Sequence, residues 1–93
     1  MPRVTVRFFA TVREVTGERS VEVEASTVRE MLAVLGDRFG RRFTDTVMDT
    51  ATGEMKRFYS CMVNGKRIEL LNGLDTTLQD GDAVAVFPPV GGG

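Results

Sequence analysis

The chain has 93 residues, 42% of them hydrophobic, and a formal net charge of −1. This suits one domain with a modest core, and excludes both a disordered chain and a strongly basic nucleic-acid binder. Histidine is absent and Cys61 is the single cysteine, which removes Ser–His and Cys–His nucleophiles, most zinc sites and any internal disulfide.

No signal-peptide stretch opens the sequence, and nothing approaches the roughly 20 apolar residues of a membrane span. The cytoplasm is the expected location, with no membrane partner and no direct nucleic-acid partner. Of the basic residues only Lys56 and Lys66 are lysines, so the chain offers few amines for modification of itself.

Arg3 to Phe9 alternates, with Val4, Val6 and Phe8 on one face of a strand and Thr5, Arg7 and Phe9 on the other. Gly17-Glu18 reads as a turn, and Arg19 to Glu24 alternates again with Val21 and Val23 inward, so the pair reads as a hairpin. Thr27 and Glu30 have the spacing of a capping box. Val28, Met31, Leu32, Leu35 and Phe39 then form one apolar helical stripe, stopped at Gly40. Gly36 inside that helix costs about 1 kcal/mol relative to alanine.

The segment from Arg41 to Lys56 is the least legible. Phe43, Val47 and Met48 would dock a short helix, and Thr52-Gly53 is a turn. Tyr59, Cys61 and Val63 then alternate with Phe58, Ser60 and Met62 before the hairpin turn Asn64-Gly65. Leu70 to Asp82 reads as a long loop, and Ala83 to Phe87 as the last strand, with Val84 and Val86 on one face. This order places one helix over one face of a mixed sheet, an α+β arrangement of about five strands packed on one main helix.

The sequence finishes VFPPVGGG. Pro88 and Pro89 fix φ near −65° and stiffen the chain after the strand. Gly91, Gly92 and Gly93 carry no side-chain bulk, so at about 3.3–3.6 Å per residue they reach roughly 10 Å into a narrow channel. Such an end suits presentation of one carboxylate to another protein's active site. A carboxylate acylates only after activation, most simply by attack on ATP to form an acyl-adenylate. Read alone, the tail is equally compatible with a glycine-rich end that has no role.

Both ends together carry a resemblance. FFATVREVTG (Phe8 to Gly17), LQDGDAVAVFPPV (Leu78 to Val90) and the glycine end resemble the molybdopterin-synthase small subunits, the MoaD-like branch of the ThiS–MoaD sulfur carriers. These blocks cover about a third of the chain. The resemblance implies a β-grasp, ubiquitin-like domain over residues 1–90 with an extended glycine tail at 91–93.

It also implies activation by an E1-like adenylating enzyme using ATP-Mg, sulfur delivery by a donor protein, and insertion of the tail into a large synthase subunit. Catalytic side chains would then lie on partners, and the chain itself would bind neither cofactor nor metal. By position, Gly93 would carry the adenylate and then the thiocarboxylate, and Gly92 would complete the diglycine. Phe87, Pro88, Pro89 and Val90 would aim the tail, while Phe9 and Arg13 match the N-terminal motif.

Two departures bear on this. Gly91 stands where those subunits commonly have Ala, Ser or Thr, and a triple-glycine end also occurs in thiazole-pathway carriers. The length of the segment from Arg41 to Tyr59 resembles archaeal and thermophile relatives, some of which are conjugated to protein lysines. A modifier acting through Gly93, or a carrier for thiazole or transfer-RNA thiolation, is therefore the alternative.

Several side chains carry expectations of their own. Phe9 and Phe87 should share an apolar patch on the helix-free face, with Ala85 keeping it flat and Met62 extending it, unless the loop around Leu70 to Leu74 covers Phe9. Such patches mark partner surfaces. Arg13 would pair with an acidic partner residue, or stand solvated on a loop after the first strand. Cys61 reads as a buried structural thiol, Asp80-Gly81-Asp82 as a turn, and Arg38, Arg41 and Arg42 as a solvated helix end that complements the dipole.

Overall fold

The computed structural model describes residues 1–89. Strands β1 (Arg3–Phe8), β2 (Ser20–Glu24), β5 (Ser60–Val63), β6 (Lys66–Arg67) and β7 (Ala83–Phe87) form one sheet in the order β2-β1-β7-β5-β6. β1 and β7 run parallel at its centre, and every other pair is antiparallel. The sheet is the expected mixed five-stranded one. Its helical side carries α2 (Val28–Phe39) and α3 (Arg41–Val47). A small second hairpin, β3 (Met48–Asp49) with β4 (Glu54–Met55), follows α3.

The alternation decides the layers. Val4, Val6 and Phe8 of β1, Val21 and Val23 of β2, Cys61 and Val63 of β5, and Val84 and Val86 of β7 all enter the core. They meet Val28, Met31, Leu32 and Leu35 from α2, and Phe43 and Val47 from α3. Burying a side chain of this size stabilises by about 1.5–3 kcal/mol. Phe39 closes the end of the stripe, half-buried and edge-on to Phe8 with ring centroids 5.8 Å apart.

The capping box differs by one residue. Thr27 Oγ1 accepts from the Glu30 amide at 3.1 Å as expected, but Glu30 Oε1 accepts from the Ser26 amide at 2.8 Å rather than from Thr27. Gly36 has a packing reason: a Cβ there would lie 3.0 Å from Thr44 Cγ2 of α3.

Other expectations need larger correction. β1 and β2 pair antiparallel, but no tight turn joins them. A short helix α1 (Ala10–Thr16) intervenes, ended by Gly17 at φ 72° with its amide donating to the Arg13 carbonyl. Its single fully buried residue is Val12, so its apolar stripe is too short to stand out from the alternation around it. β1 stops at Phe8, and Phe9 is the residue before α1 rather than a strand residue.

Arg38 does sit in the last turn of α2, and its guanidinium lies over the Phe39 ring at 5.6 Å. Arg41 and Arg42 instead open α3, at the positive end of that helix, so they do not complement a dipole there. Gly40, at φ 76°, is the joint between the two helices. The loop before β7 holds two 3-10 turns, Ile68–Leu70 and Gly73–Asp75. Leu78 pins it to the core, and its amide donates to the Ser26 carbonyl at 2.8 Å.

Candidate functional site

β7 reaches the middle of the sheet because its start is clamped. The Ala83 amide donates to Asn64 Oδ1 at 2.9 Å, and Asn64 Nδ2 donates to Asp82 Oδ1 at 2.9 Å, tying the β5–β6 turn to the entry of β7. Asp82 Oδ2 also accepts from the Gln79 amide, and Asp80 Oδ1 from the Arg3 amide. The two carboxylates of Asp80-Gly81-Asp82 thus hold a turn, as expected. From there Val84 and Val86 face the core, so Ala83, Ala85 and Phe87 face the opposite side.

Register then places the outer residues side by side. Ala85 lies opposite Arg7 of β1 and Met62 of β5, and Phe87 lies opposite Ser60. Pro88 has no amide to continue the ladder, so β7 ends at Phe87.

Phe9 arrives from the neighbouring strand by a backbone device. Phe9 itself is extended, at φ −132°, and Ala10 takes φ 52°, a left-handed conformation that costs an alanine roughly 1–2 kcal/mol. The chain turns sharply out of β1 there, and Phe9 remains 37% exposed. Its ring meets that of Phe87 edge to face, with centroids 6.2 Å apart and planes at 86°.

A shallow apolar surface results, lined by Phe9, Ala10, Met62, Ala85, Phe87, Pro88 and Pro89. The residues of the Leu70 to Leu74 loop are not among those lining it. Leu70 and Leu71 are themselves exposed. Ala10 was not foreseen as part of this surface; the FFA run carried the only signal for it.

Arg13 stands apart from that lining. It lies on α1, not on a loop, and its Nε donates to the Phe8 carbonyl at 3.4 Å. The guanidinium is exposed, and among the described residues it forms no ion pair. Val90, Gly91, Gly92 and Gly93 lie outside the described residues.

Cys61 is buried, and burial, with a smaller contribution from the Glu69 carboxylate, pushes its thiol up to about 12. A thiol held protonated this firmly is a poor nucleophile, which fits a structural role. Among the described residues no helix is long and apolar enough to cross a membrane.

Comparison with known proteins gives the fold its relatives. The ThiS family matches residues 6–93. The chain is 40% identical over 91 residues to small archaeal modifier protein 3 of Haloferax volcanii, covering 95% of this chain and 96% of that one. It is 33% identical over 95 residues to the molybdopterin synthase sulfur carrier subunit of Escherichia coli, covering 97% and 99%. Among solved structures, the Amycolatopsis orientalis BexX/CysO complex contains a chain that superposes with a TM-score of 0.80 at 30% identity, covering 97% and 99%. With a β-grasp sheet over one main helix and a family match across nearly its whole length, the chain belongs to the ThiS family of ubiquitin-like sulfur carriers.

Proposed function

We propose that this chain is a sulfur carrier of the molybdopterin-synthase small-subunit type, and that its reactive group is the carboxylate of Gly93. One observation carries the reading: the central strand β7 ends at Phe87 on the exposed apolar surface, with Pro88 and Pro89 lining the same surface. A partner that covers Phe9, Met62 and Phe87 is therefore seated where the chain leaves the sheet. The identity to the Escherichia coli carrier subunit supports the pathway.

In this reading an E1-like adenylating enzyme binds the apolar surface and supplies ATP-Mg. The Gly93 carboxylate attacks the α-phosphorus, pyrophosphate leaves, and an acyl-adenylate forms. The persulfide of a donor protein attacks the carbonyl and displaces AMP, and a second donor thiol then cleaves the acyl disulfide, which leaves the thiocarboxylate on this chain and a disulfide on the donor. On the large synthase subunit the thiocarboxylate sulfur attacks the pterin precursor, and water then cleaves the C–S bond, which leaves the sulfur on the precursor and returns the carboxylate. Gly91 and Gly92 keep the path narrow, and Pro88, Pro89 and Val90 aim it. Arg13 pairs with a carboxylate of a partner. Catalytic side chains belong to the partners.

A second reading, a modifier joined through Gly93 to lysines of other proteins, is favoured by the identity to the Haloferax volcanii modifier. Mass spectrometry of the protein from its own cells separates the two. Exchange of one terminal oxygen for sulfur, without conjugates, marks the carrier. A branched peptide in which Gly93, with the residues that follow Arg67, is joined to a target lysine marks the modifier. An unaltered end under every growth condition overturns both.

A further inference from the structure

We infer that Arg7 and Arg67 are specificity-determining residues that seat two carboxylates of the activating enzyme on either side of the apolar surface. The inference rests on the adenylation reading above and adds the chemistry of the partner's surface to it. It comes from the register of the open sheet face. Arg7 of β1 is opposite Ala85 of β7, Ala85 is opposite Met62 of β5, and Met62 is opposite Arg67 of β6. One row across four strands therefore reads Arg, Ala, Met, Arg. At about 4.8 Å between strands, the two arginine backbones stand roughly 14 Å apart.

The row has its charge at both ends and only Ala85 and Met62 between. Both arginines are exposed. The ion pairs among the described residues are Arg3 with Glu22 and Glu24, and Arg29 with Asp75, so among those residues neither Arg7 nor Arg67 is paired with a carboxylate. Arg67 makes one long contact, from Nη2 to Ser60 Oγ at 3.5 Å, which places its guanidinium beside Phe87's strand partner. A guanidinium binds carboxylate in a fixed two-pronged geometry, and arginine, unlike lysine, is enriched in protein interfaces.

The rest of the face selects a protein over a polyanion. Glu22 and Glu24 project from β2 on the same side as Arg7, opposite Thr5 and Arg3. A nucleic-acid strand laid across the sheet would meet those carboxylates. Two discrete carboxylates flanking an apolar centre meet only the arginines.

The test is ATP–pyrophosphate exchange by the activating enzyme of the same organism, with full-length chain as the varied substrate. The double variant Arg7→Glu/Arg67→Glu is expected to raise KM for the chain by about tenfold or more at low salt, because like charges then face one another, while kcat stays within about twofold. Added salt should shrink the difference. The double variant Arg41→Glu/Arg42→Glu, on α3, carries the same change in net charge and should behave as wild type. Equal KM for Arg7→Glu/Arg67→Glu and wild type overturns the inference alone, and so does an equal rise in the α3 control. Loss of bulk transfer-RNA binding in Arg7→Glu/Arg67→Glu, with KM unchanged, assigns the row to nucleic acid and overturns it too. A wild-type chain that is never activated removes the adenylation reading and this inference together.

Discussion

The rings of Phe9 and Phe87 meet at 86°, one from the residue before a helix and the other from the last residue of a strand. Neither is required by the core, which lies on the far side of the sheet. Aromatic groups so placed dominate binding energy where they contact a partner. Phe87→Ala should therefore weaken binding to the activating enzyme by about 2 kcal/mol, some thirtyfold in Kd. Phe87 is half-buried, so its loss should lower stability by only about 1 kcal/mol. Calorimetric titration and urea unfolding of the same variant check the two numbers; an unchanged Kd removes the docking role.

Phe43 tests whether α3 belongs to the core. It is fully buried and packs on Phe39 with centroids 6.4 Å apart. Phe43→Ala should cost about 3–5 kcal/mol, a large part of the total for a domain of this size. Denaturant unfolding that shows a loss below about 1 kcal/mol would mean that α3 is an appendage.

Cys61 gives a pH signature. Its folded thiol is raised from 9.0 to about 12, so between those values the unfolded chain has lost its proton while the folded chain keeps it. Stability from this group is fully present below pH 9 and falls as pH rises toward 12, at up to about 1.4 kcal/mol per unit. Cys61→Ala should flatten that part of the curve relative to wild type. At pH 8 a maleimide should label the native thiol far more slowly than the urea-unfolded one; equal rates would show that the thiol is accessible.

Gly36 reverses a common expectation. Alanine in a helix normally gains about 1 kcal/mol over glycine. Here the new Cβ would press on Thr44 Cγ2, and the Thr44 hydroxyl is bonded to the Arg41 carbonyl, which restrains the side chain. Gly36→Ala alone should yield no gain. In a Thr44→Ser background, which lacks that methyl, it should recover about 1 kcal/mol, read from thermal or urea unfolding. A full gain in the wild-type background would contradict this packing.

The sheet and α2 were legible because their periods run long enough to declare themselves. Val4-Val6-Phe8 and Val84-Val86 hold to period two, and the α2 stripe holds to period 3.6 with a hydroxyl at its start. α1 was not, since seven residues with one fully buried side chain sit directly after an alternating run. The joint at Gly40 was read as an end, which it is, and the short helix expected from Phe43, Val47 and Met48 is α3, with Phe43 and Val47 buried and Met48 just past its end. The pairing of Phe9 with Phe87 followed from topology. That Phe9 is presented by a left-handed Ala10 did not, because only a backbone angle reveals it. Arg13 was found by motif and misplaced by element, for the same reason that α1 was missed.

The central claim is that the free carboxylate of Gly93 is the reacting group, and ATP–pyrophosphate exchange by the activating enzyme tests it most directly. The chain with its natural end should support exchange, and the same chain made as a C-terminal amide should support none while remaining folded. Equal exchange with the amide would contradict the account.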